Sequence, residues 1–325
     1  MKLPRRRFLH LAAGALALPA VSRVAVAQAY PSRPVRLVVS FPAGGVNDIL
    51  ARLMGQWLSE RLGQPFVIEN RPGAGTNIGT EAVVRAAADG YTLLLVSPAN
   101  AINATLYDKL SFNFMRDIAP VASIVSMPLV LVVHPSFQVA SVSELVAYAK
   151  ANPGKLNMAS GGNGSAGHVT GELFKMMAGV DMLHVPYRGS GPALTDLIAG
   201  QVQVTVDPLP SSIEFIRTGK LRALAVTTAT RSDALPGIPT IADTVPGYEA
   251  SAWYGFGAPK ATPVEIIEKL NREINAVLAE PRNKARFAEL GGTVIAGSPA
   301  DFSKLMADET KKWARVVKFS GARPD

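Results

Sequence analysis

The sequence contains no cysteine. That absence excludes disulfides, thiolate nucleophiles, iron–sulfur clusters and a lipid-modified N-terminal cysteine. Histidine is scarce as well. Beyond the N-terminal segment only His134, His168 and His184 remain, with no H-E-x-x-H and no metal-ligand spacing, which argues against a catalytic zinc. No segment after residue 29 offers the ~20 uncharged apolar residues that a membrane-spanning helix needs. A Lys/Arg cluster with interleaved aromatics, the footprint of nucleic-acid binding, is also missing. The formal charge of +8 is mostly local: Lys2, Arg5, Arg6, Arg7 and Arg23 stand in residues 1–29 without a single acid, and the remaining basic residues nearly balance the 25 acids. Internal repeats and low-complexity linkers are lacking too.

What is present begins with a targeting signal. Arg5, Arg6 and Arg7 precede Phe8 and Leu9, an Ala/Leu-rich run continues to Ala20, and small-residue cleavage sites follow near Ala27 or Ala29. The paired arginines resemble a twin-arginine export signal, which carries folded proteins across the bacterial inner membrane. The expected location of the processed chain is therefore the periplasm.

From Val35 onward, β-branched runs alternate with helical patterns, which predicts an α/β fold with mainly parallel strands in mixed sheets. The strands expected first are Val35 to Phe41, Phe66 to Glu69 and Thr92 to Val96, the last entering Ser97-Pro98-Ala99-Asn100. Val121 to Val133 is broken by Met127-Pro128, where a crossing into a second domain is expected. Leu221 to Thr227 leads back. The boundaries expected are residues 30–128 with 224–325 for domain 1 and residues 129–223 for domain 2. Thr262-Pro263 and Ser298-Pro299 each pair an N-cap with a proline at the helix start, predicting two C-terminal helices.

The chemistry-bearing features are glycine corners between strand and helix. LVVSFPAGGVNDILAR, beginning at Leu37, and FVIENRPGAGTNIGTEAVV, beginning at Phe66, each deliver a Gly-rich turn to a helix start. The first unpaired amides of a helix and its dipole favour an anion there. A lone glycine corner is equally well explained as turn chemistry, but two at successive strand ends of an open α/β sheet converge on one crevice. Asp48 falls in the first turn of its helix, where an acid suits the dipole with or without a ligand. A third corner, Gly162-Asn163-Gly164-Ser165-Ala166-Gly167, has the formal G-x-G-x-x-G of dinucleotide sites. The acid that should end the next strand is missing, since Met182 to Pro186 runs into Tyr187-Arg188. Ser165 lacks a nucleophile elbow. Asp207-Pro208, at another strand end, suits either a ligand donor or the turn into the next helix.

FPAGGVNDILAR, ENRPGAGTNIGTEAV, ADGYTLL, GGNGSAGH, GELFKMMAGVDMLHVPYRGSGPALTDLIAGQVQV, LRALAVTTATRS and SAWYGFGAP together resemble the Bug-type periplasmic solute receptors of tripartite tricarboxylate transporters across nearly the whole processed chain. The resemblance implies a two-domain Venus-flytrap fold, type II-like, closing on a small organic carboxylate and presenting it to the permease subunits. It implies no catalytic residue, metal or cofactor, a monomer, and no membrane-embedded part. Carried over, Ala43, Gly44 and Gly45 with Gly73, Ala74, Gly75 and Thr76 grip a carboxylate through main-chain amides and water. Gly162, Asn163, Gly164 and Ser165 face them from the other domain with Asp207. Asp48, Asn77, Ser97, Ser160 and Tyr187 complete the expected ligand-binding set. Two residues depart from the family pattern: Thr76 replaces a common glycine, and Ser40 a frequent proline. The competing readings are an exported cofactor-dependent enzyme using the Gly162–Gly167 corner and a ligand receptor for a sensor system.

Overall fold

The computed structural model describes residues 30–324, so the export signal read over residues 1–29 lies outside the described residues. Arg33 onward forms one unit, distinct from Met1–Ser32. Strand β1 (Val35–Val39) passes through the first glycine corner into α1 (Val46–Leu62). Gly63 ends α1 in the left-handed conformation, φ 70°, where its N–H closes on Ser59 O. Then come β2 (Phe66–Asn70), a tight turn over Ala74–Thr76, α2 (Asn77–Val84), β3 (Thr92–Val96), α3 (Pro98–Leu106), the short α4 (Phe114–Asp117) and β4 (Ile118–Met127).

Pro128 alone separates β4 from β5 (Leu129–Val133). The chain continues through α5 (Val142–Ala151), β6 (Asn157–Ser160), α6 (Ala166–Ala178), β7 (Leu183–Pro186) and α7 (Ser190–Ile198). Next are β8 (Val204–Pro208), α8 (Leu209–Arg217) and β9 (Arg222–Val226). The last part holds β10 (Ala252–Pro259), α9 (Val264–Ala279), α10 (Pro281–Glu289), β11 (Thr293–Val294) and α11 (Pro299–Ser320).

These strands form two sheets, ordered β11-β4-β10-β3-β1-β2 and β7-β6-β8-β5-β9. Parallel pairing holds for β1–β2, β1–β3, β6–β7 and β6–β8; the remaining pairs are antiparallel. Both sheets are therefore mixed, with less parallel pairing than the β/α alternation suggests. The reason lies in β4, β5, β9 and β10, which carry the chain between the sheets and run against their neighbours. β9 stays in the second sheet through Val226, past the 223/224 boundary expected from the sequence.

Each sheet has its own core. In the first, Val38, Leu94, Val96, Phe114, Trp253 and Phe302 pack together, and β1 and β3 are buried on both faces, as central strands covered by helices should be. In the second, Val130, Val132, Ala159, Leu194, Leu197 and Ile213 do the same. The two crossings between sheets are tied side by side. Fully buried Thr227 receives the Leu129 N–H on its Oγ1 (2.9 Å) and donates that hydroxyl to Leu129 O (3.1 Å).

Candidate functional site

The carboxyl ends of the strands from both sheets border one cleft. Its larger compartment, about 600 Å³, is lined by the first corner, Ser97 to Ala99, and residues at the starts of α6, α7 and α8. A smaller one of about 400 Å³ lies against the second and third corners and shares Phe41, Ala99, Ser165 and Arg188 with the first. Helices α1, α3, α6, α7 and α8 all turn N-terminal residues toward the larger compartment. Each such terminus favours an anion by roughly 0.3–1 kcal/mol, or ~2 when partly buried.

These termini are not equal as amide donors. Proline stands in the first turn of α3 (Pro98) and of α8 (Pro210), removing an N–H. In α6 the Ser165 hydroxyl accepts the His168 N–H at 3.2 Å, a self-supplied cap. α1 has no proline in its first turn, and its N-cap is Gly45, which has no side chain to offer. Its first intrahelical bond is Ile49 N–H to Gly45 O, 3.0 Å, so the amides of Gly45, Val46 and Asn47 stand ahead of the helical ladder at the cleft wall.

Asp48 is buried behind this corner and does not line the cleft, a correction to its expected ligand role. Its Oδ2 accepts the Gly44 N–H (3.0 Å) and Arg52 Nε (2.9 Å), and its Oδ1 accepts Asn70 Nδ2 (3.1 Å). Burial alone would push this carboxyl up, but these three hydrogen bonds hold it below the ordinary carboxylate range. The Gly44 amide is thus already committed to Asp48 and is not a carboxylate anchor. Asp48 instead fixes the corner, with Gly44 at φ +86°.

The second corner is a left-handed turn. Gly73, Ala74, Gly75 and Thr76 all have positive φ (124°, 46°, 59° and 87°), and Thr76 N–H closes on Gly73 O at 3.0 Å. Asn103, from α3, braces it by donating Nδ2 to Gly75 O, Thr76 Oγ1 (3.2 Å) and Asn77 Oδ1 (3.0 Å). Asn77 is therefore a buried support of the turn and does not line the cleft. A side chain at Gly75 would strike Tyr107, its Cβ lying 2.5 Å from Oη.

The third corner is braced from behind by two stacked imidazoles. His168 and His184 lie 3.8 Å apart with ring planes 10° from parallel. His168 Nδ1 accepts the Gly164 N–H (3.1 Å), and His184 Nε2 meets Ser160 Oγ (2.7 Å), which also accepts the Gly162 N–H (3.2 Å). Ser160 is thus a buried bracket, the third expected ligand residue that the cleft does not expose. Burial, His184 and Lys175 together push the His168 pKa down to about 3, so its ring stays neutral and accepting. Gly167 packs against strand β8, where a Cβ would sit 2.3 Å from Val206 O.

Ala43, Gly44, Gly45, Ser97 and Asp207 line the larger compartment. Gly73 to Thr76 line the smaller one, together with Gly162 to Gly164 and Tyr187, and Ser165 lines both. The Tyr187 hydroxyl, however, donates to Asp196 Oδ2 at 2.7 Å, and burial followed by that bond pushes it up to about 12, so its proton is already committed. Asp207 is buried, with no partner for Oδ2 among the described residues, and burial outweighs a hydrogen bond from Ser190 to push it up to about 7.

The aromatic floor and the start of α3 are not anticipated by the sequence. Tyr254 is both buried and part of the larger lining, where Phe41 and Phe215 join it. The starts of α3 and α8 follow Ser97-Pro98 and Asp207-Pro208-Leu209-Pro210. The cap-and-proline signature read at Ser298-Pro299 recurs at Ser97-Pro98 and places α3, while α8 follows the turn read as one alternative at Asp207-Pro208.

The sequence profile of the tripartite tricarboxylate transporter family receptor matches residues 50–321. Protein BugT of Bordetella pertussis is 40% identical over 300 residues, covering 91% of this chain and 92% of BugT. Among solved structures, the R. palustris protein Rpa4515 with adipate superposes with a TM-score of 0.87 at 41% identity, over 91% of this chain and 100% of that one. MatC from Rhodopseudomonas palustris with bound malate gives 0.82 at 33% identity, over 89% and 100%.

Proposed function

Because the chain belongs to the tripartite tricarboxylate transporter receptor family, we propose that it is a periplasmic receptor that closes two lobes on a small carboxylate and hands it to a membrane permease. The observation that carries this reading is the uncapped N-terminus of α1. A helix start with a glycine cap, no proline and its amides at a cleft wall is a seat for an external acceptor, and an oxyanion is the acceptor its dipole favours. The periplasmic-binding-protein fold supplies the second half of the clamp. The third corner and the starts of α6, α7 and α8 belong to the second sheet and complete the cleft lining.

In this reading the lobes divide at Pro128 and Thr227, and the signal over residues 1–29 exports a monomer that acts as a receptor and not as an enzyme. The carboxylate seats first on α1 and the left-handed turn. The second lobe then gains its contacts only when closed, so ligand shifts the open–closed equilibrium by its differential affinity. Adipate and malate, present in the two related structures, support testing small dicarboxylates first.

A thermal-shift screen of mono-, di- and tricarboxylates followed by calorimetry tests this. Gly45→Val supplies the control. Gly45 has φ −83°, open to any residue, and a Cβ there meets only Pro42 O at 4.0 Å, so the fold tolerates the change. The branched side chain covers the α1 amides. The expected result is at least about a tenfold loss of affinity for the best ligand, with a melting temperature lowered by only a few degrees. Unchanged affinity would remove α1 as the anchor.

A further inference from the structure

Asp207 is the unusual group in this cleft. A site ringed by helix N-termini is built for anions, yet it contains a carboxylic side chain at the end of β8. That side chain is 3% exposed and lines the larger compartment with one oxygen unpartnered. Among the described residues no basic side chain pairs with it. Across the sheet it faces apolar Val130 on β5, on α7 it meets Ser190, and on β10 Tyr254. α6 presents Ala166 and Gly167, α8 presents Pro210 and Ser211, and exposed Arg188 stands elsewhere along the same lining. His168 is turned away, its Nδ1 engaged by the Gly164 amide.

An ionised Asp207 in these surroundings would be a buried charge without a counterion, facing an incoming anion. A neutral carboxyl is different. Its carbonyl oxygen accepts from Ser190, and the second oxygen carries a proton with no acceptor among the described residues. We propose that Asp207 binds the ligand as a neutral carboxyl, donating its proton to a second, distal carboxylate, so that the cleft selects dicarboxylates. The inference rests on the carboxylate-receptor reading. It adds which end of the ligand each lobe reads: α1 holds the proximal carboxylate through amides, and β8 reads the distal one through a carboxyl–carboxylate hydrogen bond. An ammonium at the distal end is disfavoured by the helix termini that surround it.

The proposal has a proton balance. Free Asp207 titrates near neutral pH, with burial pushing it up to about 7. A bound carboxylate beside it raises that value further, since the charged pair is disfavoured. Above about pH 7, binding therefore draws one proton from solvent onto Asp207. Affinity falls as pH rises, approaching tenfold per unit.

Calorimetry of the purified protein with adipate at about pH 8, in two buffers of different ionisation enthalpy, reads the protons taken up per ligand. The expected uptake is close to one. Asp207→Asn presents a permanent amide donor, so it should bind adipate with no uptake, with affinity independent of pH. At about pH 8 that affinity should exceed the wild type's by up to about tenfold. Asp207→Ala, without a donor, should bind more weakly at every pH. Adipate binding by the wild type without proton uptake would overturn the inference while leaving the receptor reading intact. Uptake that persists in Asp207→Asn would assign it to another group and overturn it equally. Failure of adipate and every other carboxylate to bind would overturn both.

Discussion

His168 shows how a single residue shapes the cleft without touching a ligand. Its neutral ring accepts the Gly164 amide and stacks on His184, which in turn holds Ser160 under Gly162. Its position beside the third corner was legible in the sequence, as the first turn of a helix following GGNGSAG. The stack was not, because His184 arrives from β7 and only the β6–β7 pairing brings it alongside. The pH consequence follows from linkage. The folded protein holds His168 neutral down to about pH 3, whereas the unfolded chain titrates near the ordinary 6.5. Between those values the unfolded state binds the extra proton, so this contribution is intact above 6.5 and is lost as pH falls, by about 1.4 kcal/mol per unit. Urea unfolding from about pH 7.5 to 4.5 should therefore show a shallower loss of stability in His168→Asn than in the wild type. Parallel profiles would contradict the buried neutral assignment. Asp48 and Ser160 teach a related lesson: both were expected at the ligand, and both turned inward because an amide of their own corner needed an acceptor.

Among the elements, the left-handed turn at Gly73–Thr76 is where backbone strain and site coincide. Glycine accepts positive φ freely, but Ala74 (46°) and Thr76 (87°) each occupy it at a cost of roughly 1–2 kcal/mol. Thr76 was marked in the sequence as a departure from a glycine, and its hydroxyl answers Asn103 in return. Ala74 is exposed and makes no such bond among the described residues. Ala74→Gly should thus stabilise the protein by about 1 kcal/mol, reversing the usual sign of an Ala-to-Gly change, with guanidinium unfolding as the measurement. A destabilised variant would show that the turn is not strained at Ala74. Most elements were legible: β1, β2 and β3 and the starts of α9 and α11 all begin or end close to their sequence signals. α3 is not announced by the reading of Ser97-Pro98 as the continuation of β3, whereas α8 follows one of the two readings of Asp207-Pro208. α10, beginning at Pro281, is not among the helices expected from the sequence.

Over the whole molecule, two sheets joined at Pro128 and Thr227 bring three glycine corners and several helix starts around one cleft. The existence of two lobes could be read from the Met127-Pro128 break and the return near Leu221. Sheet polarity could not, since periodicity reports burial and says nothing of strand direction. Nor could the convergence of the α7 and α8 starts with α1, which depends on how two independently built cores meet. The central claim is that this cleft reads charge through helix N-termini, with apolar walls such as Phe41, Phe215 and Tyr254 accommodating the ligand's carbon chain. The most direct test is calorimetric comparison of adipate with its uncharged diamide, which has the same length and carbon skeleton. The account predicts measurable binding of adipate and at least about a 100-fold weaker affinity for the diamide. Comparable affinities for the two would contradict it.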